Sequence, residues 1–255
     1  VGLVHLRAGD AKRAQAALQQ VLDGGEDDGA VLAAAQKLAE MFTESGDLRG
    51  LATALDAWVR FEPDTEVRLT AARRLAKLAE GELGEPERAT VAWRALVDSP
   101  WADEALSRLS ALYEGSNDVD NLVFVLERRA QRAKSPEDAR ALALRAAELR
   151  TGQGRDRSQA LGAWRAFIAQ YGPSREAHAR VIPLLEQEQQ WKELAWILER
   201  DVEQAPREEG PPILARLAQI RLVRLDELDG AFVAYSRGLQ VDPANAAIRA
   251  ALEKL

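Results

Sequence analysis

Few side chains in this sequence have the type and spacing for chemistry. Histidine occurs twice, as His5 and His178, and cysteine is absent. An imidazole makes a metal site or a catalytic triad only with a second ligand or an orienting carboxylate. Neither histidine shows such a companion in the sequence. His178 falls where Ala35 and Leu106 stand in related segments, at a core-facing helix position, and His5 lies in the first helix. Paired carboxylates occur in "GEDDG" (25–29) and "REEG" (207–210), but these are loop stretches with nothing to hold one pKa up and the other down. "GQGR" (152–155) has no strand before it and so is no phosphate cradle; it reads as an inter-helix turn, matching "GELGE" (81–85) one period earlier. The expectation is no catalytic residue, no metal and no cofactor, hence no enzyme.

Composition points the same way. Of 255 residues 47% are hydrophobic, mostly Ala and Leu, and only 5% aromatic, which favours helix over sheet. A net charge of −7 without a dense Lys/Arg stripe argues against nucleic acid as a ligand. No stretch approaches the roughly 18 to 20 apolar residues of a membrane span, and no signal segment opens the chain. Val1 stands inside what reads as a helix, so a fragment or processed form is expected. A cysteine-free chain suits cytoplasm or periplasm, with cytoplasm the working expectation.

What must position any functional side chain is a repeat. "EPERATVAWRAL" (85–96), "DRSQALGAWRAF" (156–167) and "ELDGAFVAYSRG" (227–238) align Ala89, Ala160 and Ala231, then Trp93, Trp164 and Tyr235, at spacings of 71 residues. Ahead of each lies a related helix, aligning Leu75, Ala146 and Leu217. Between these hairpins sits a second kind, with Leu51, Leu122 and Leu194 on one helix and Phe42, Tyr113 and Leu185 on the one before. The unit therefore holds two hairpins of about 35 residues each. Pro63, Pro100, Pro173 and Pro243 mark the joints, and Ser135 with Pro136 reads as a helix start.

Residues 32–65 resemble the tetratricopeptide repeat: Leu38-Ala39 and Phe42 on a first helix, Gly46-Asp47 in the turn, Leu51, Leu55 and Trp58 on a second helix, and Pro63 closing. The resemblance implies an all-α, right-handed superhelical solenoid. Hairpins are expected near 1–23, 30–62, 64–98, 101–133, 136–171, 174–205 and 211–241, with a final helix at 244–255, forming one array. One hairpin cannot bury its own apolar stripe, so each is covered by the next, and first helices line a concave face. "DGGEDDG" (23–29) and "APREEGPP" (205–212) are longer joints. Trp58, Trp93, Trp164, Trp191 and Trp196 fall on second helices, where packing is expected, Trp101 at a joint, and Pro183 inside a helix that it should bend.

The resemblance also places Gln36, Glu40, Glu44, Arg73, Glu80, Glu104, Ser107, Glu114, Glu176, Glu186 and Gln187 on the concave face, which reads as acidic, with Arg74, Arg145 and Arg216 as an opposing ladder. Modules of this family that grip chaperone C-termini use Lys, Arg and Asn there, whereas this chain offers mostly Glu. A basic or apolar segment of a protein partner is the expected ligand, held in the groove by a scaffold or adaptor. The alternative is an architectural spacer that self-associates through open ends. Ala-heavy usage with Arg over Lys resembles high-GC bacterial proteins of envelope, motility or signalling systems.

Overall fold

A computed structural model describes residues 11–152 and 156–255 of the chain. His5 and residues 153–155 of the "GQGR" stretch lie outside the described residues. Among the described residues there are fourteen α-helices, one 3₁₀ turn and no strand. The chain divides into two compact units, Val1–Lys134 and Ser135–Leu255.

In the first unit α1 (Ala11–Gly24) precedes three antiparallel hairpins. These are α2 (Asp28–Ser45) with α3 (Leu48–Phe61), α4 (Thr65–Glu80) with α5 (Pro86–Arg94), and α6 (Ala102–Ser116) with α7 (Val119–Arg132). The second unit pairs α8 (Pro136–Arg150) with α9 (Arg157–Tyr171), α10 (Arg175–Gln187) with α11 (Trp191–Gln204), and α12 (Gly210–Arg224) with α13 (Leu228–Val241), and ends on α14 (Ala246–Leu252). In each unit every helix packs mainly on the next one along the chain.

The turns explain why the pairs close. Gly46, Asn117 and Gln189 occupy equivalent positions and all adopt left-handed backbone, with φ of 75°, 55° and 54°. That conformation ends the first helix and reverses the chain. Asp47 and Asp118 then cap the second helix, accepting the amide N–H of Gly50 at 3.0 Å and of Asn121 at 3.2 Å. Ser135 caps α8 by accepting the N–H of Asp138 at 3.0 Å, with Pro136 at the first helical position.

The recurring helix is buried for a packing reason. Ala89, Ala160 and Ala231 let neighbouring helices approach, while Trp93 and Trp164 are wholly enclosed and Tyr235 nearly so. In the second unit Trp164 meets Phe167 edge-on at 5.7 Å, and Phe167 meets Tyr171 at 5.2 Å. Trp196 departs from the expectation of a packed role. It is 46% exposed, as its equivalent Phe124 is 53% exposed, because both lie on the outward side of their second helices. The guanidinium of Arg200 lies over the Trp196 ring at 4.7 Å.

Candidate functional site

The first helices of each hairpin carry the residues singled out by the sequence, and each unit brings them together differently. In the first unit Glu104 on α6 accepts from Arg73 Nε at 2.7 Å and Lys77 Nζ at 3.0 Å, both from α4. In the opposite sense Glu80 on α4 receives Arg108 of α6 at 3.4 Å. Arg73 also lies over the ring of Trp101 at 5.3 Å, which gives that joint residue a place in the cluster. The Arg73 hydrogen bond holds the Glu104 carboxyl below its ordinary pKa, against a smaller opposing effect of burial.

The second unit repeats the arrangement with other partners. Arg140 of α8 reaches Glu176 of α10 at 3.3 Å, Arg180 of α10 reaches Glu148 of α8 at 2.8 Å, and Arg216 of α12 reaches Glu186 of α10 at 2.6 Å. Crossed acid–base rungs thus join α4 to α6 and α8 to α10, and a single rung joins α10 to α12. Arg108, Arg140 and Arg180 stand on the same helices as the glutamates, so positive charge lies beside negative at these pairs. All these pairs are partly exposed, so each contributes about 0–1 kcal/mol.

The remaining residues divide into outward and inward groups. Glu40 pairs with Lys37 on its own helix and, with Glu44, raises the Lys37 pKa, the Glu40 hydrogen bond being the largest cause. Glu44, Ser107, Glu114 and Gln187 are exposed. Gln36 belongs instead to an internal network, donating at 3.1 Å to Glu62, a carboxylate that also accepts from Trp58 Nε1 at 3.0 Å. Glu62 is buried and was not among the residues the sequence singled out; its signal is only the Trp-x-x-x-Glu spacing on one helix face.

His178 differs from its sequence reading in one respect. It is fully buried in α10, as expected, but it does have an orienting carboxylate: Asp201 of α11 lies 3.2 Å from Nδ1. The pairing spans 23 residues and two helices, which is why the sequence hides it. With the ring enclosed, no substrate reaches it. No group of three or more His, Asp or Glu side chains suited to a metal ion occurs among the described residues, and none of the described helices is long and apolar enough to cross a membrane.

No protein-family model matches the sequence, and no curated protein matches it. Solved structures are similar to it along nearly its whole length. A tetratricopeptide repeat protein from Parabacteroides merdae is 14% identical, with 99% of this chain and 94% of that one covered and a TM-score of 0.34. The P58(IPK) tetratricopeptide domain is 15% identical, with 99% of this chain and 85% of that one covered and a TM-score of 0.29. Among the described residues the chain is all-α and built of consecutive helical hairpins, the order of elements that the sequence resemblance to tetratricopeptide repeats implies.

Proposed function

We propose that this chain is a non-catalytic interaction scaffold that captures an extended or helical segment of a partner protein across the first helices of a single unit. The observation that supports this reading is the rungs on partly exposed helix surface, Arg73–Glu104 in the first unit and Arg140–Glu176 with Arg216–Glu186 in the second. Exposed pairs of this kind are cheap to open. In the second unit basic groups of a partner exchange for the arginines at Glu176 and Glu186, and apolar side chains settle between the rungs; in the first unit Glu104 offers the same exchange by itself. Glu40 and Glu44 extend the same reading toward α2.

The test is a pull-down with the intact chain as bait, with salt elution, followed by titration of the recovered partner against Glu176→Lys and Glu186→Lys. Affinity should fall roughly tenfold, as expected for reversed charges facing a complementary partner, while the melting temperature stays unchanged. Undiminished affinity in both variants removes the first-helix face from consideration.

A second reading is self-association. It is favoured by the apolar side chains Leu228, Phe232 and Val233 of α13, each about half exposed, beside an exposed Val223 at the end of α12. Sedimentation at several concentrations separates the two, since a self-assembling array grows with concentration and a segment-binding scaffold does not.

A further inference from the structure

Where α11 ends and the α12–α13 hairpin begins, the surface opens into a cleft of about 270 Å³. Its lining joins the apolar side chains of Val202, Pro206, Leu214 and Val241 to two arginines, Arg207 and Arg237. Among the described residues neither guanidinium meets a carboxylate, a hydrogen-bond acceptor or an aromatic ring. That is unusual in this unit, where Arg165, Arg180 and Arg216 each hold a glutamate and Arg200 and Arg224 lie over indole rings. Repeat packing does not call for the two cations either. One period earlier the equivalent positions hold Pro136 and Ala166, and two periods earlier Thr65 and Ala95.

The two arginines are the only charged side chains in the cleft lining among the described residues. Glu209 is engaged by Arg175, and Asp242 by the N–H of Ala244 and the side-chain amide of Asn245. Gly210, the first residue of α12, also lines the cleft and brings the positive end of that helix to it. Pro211 and Pro212 carry no N–H, so hydrogen bonds to a bound anion come from the guanidinia rather than from the first helical turn.

We propose that this cleft binds the C-terminus of a partner polypeptide, with the α-carboxylate between Arg207 and Arg237 and the last, apolar side chain against Val202, Leu214 and Val241. Planar guanidinia match a carboxylate in charge and geometry. The cleft is smaller than the roughly 300–1,000 Å³ of pockets that enclose a whole small molecule. It holds one residue at a chain end while the rest of the peptide leaves over the exposed arginines. This site involves the joint and a second helix, so it stands or falls separately from the first-helix reading.

The experiment uses the intact chain and a fluorescein-labelled Gly-Ser-Gly-Ser-Gly-Leu peptide, with a free C-terminus or as its amide, read by fluorescence anisotropy. The free acid should bind at least about tenfold more tightly than the amide, the size expected for charge-assisted hydrogen bonds, and Arg207→Gln and Arg237→Gln should each remove most of that difference. Both side chains are exposed, so the variants should melt as the parent does. Equal binding of acid and amide, undiminished binding to the double variant, or no binding of the peptide would each overturn the proposal. So would equally tight competition by 4-methylpentanoate, which would assign the cleft to a small free acid.

Discussion

Trp93 donates its indole N–H to Glu80 at 2.8 Å, thirteen residues earlier on the preceding helix, and one period later Trp164 donates to Thr151 across the same separation. Two different acceptors thus serve one geometric need, because an indole enclosed at this position must place its N–H somewhere. Glu80→Ala leaves the Trp93 donor without its acceptor and should cost about 1–3 kcal/mol. Glu80→Gln, which keeps an acceptor oxygen, should recover most of it. Urea unfolding of the three proteins side by side measures the difference.

Glu104 supplies a pH dependence with a definite sign. Its folded pKa lies below the ordinary glutamate value because Arg73 and Lys77 hydrogen-bond the ionised form. A depressed carboxyl stabilises the fold fully above the unfolded pKa and loses that contribution as pH falls through the folded one. The stability gap between the parent and Glu104→Gln should therefore be constant near neutrality and shrink below the usual glutamate range. Thermal melts from pH 7 to pH 3 should show that convergence; a gap that widens on acidification contradicts it.

At Gln189 a side chain occupies a turn that its equivalent Gly46 makes without one, both at left-handed φ. A β-carbon in that region costs about 1 kcal/mol. Gln189→Gly should raise stability by up to that amount, less the greater freedom glycine gives the unfolded chain. Gly46→Gln should do the reverse, and differential scanning calorimetry of both checks the pair.

The contact between His178 and Asp201 offers a test of an internal role. A double-mutant cycle with His178→Leu and Asp201→Ala should return a coupling of about 0.5–1.5 kcal/mol, the range for a hydrogen bond. Asp201→Ala leaves the buried ring without its carboxylate and should cost about 1–3 kcal/mol, whereas Asp201→Asn, which keeps an acceptor oxygen, should recover part of that.

The sequence made the hairpins legible because burial repeats with them: Ala89 and Ala160, Trp93 and Trp164, Leu51 and Leu122 all stand where periodicity predicts and are all enclosed. It did not make the charge pattern legible. Glu104 and Glu176 share a repeat position, yet Arg73 and Lys77 hold one and Arg140 holds the other. Periodicity reports which side of a helix faces inward, whereas ion pairs depend on long side chains crossing to another helix about 30 residues away. The same limit hid Asp201 from His178, and left Arg207 and Arg237 as two unrelated positions until the fold set them around one cleft.

Because each helix leans chiefly on its sequence neighbours, cohesion within a unit is parcelled out locally. Heat or pulling should therefore loosen such a unit by fraying from its ends, in stages, rather than by a single collapse. A ligand that clamps one hairpin would stiffen the adjoining ones and leave distant ones as pliant as before. Amide exchange resolved along the chain would display that gradient.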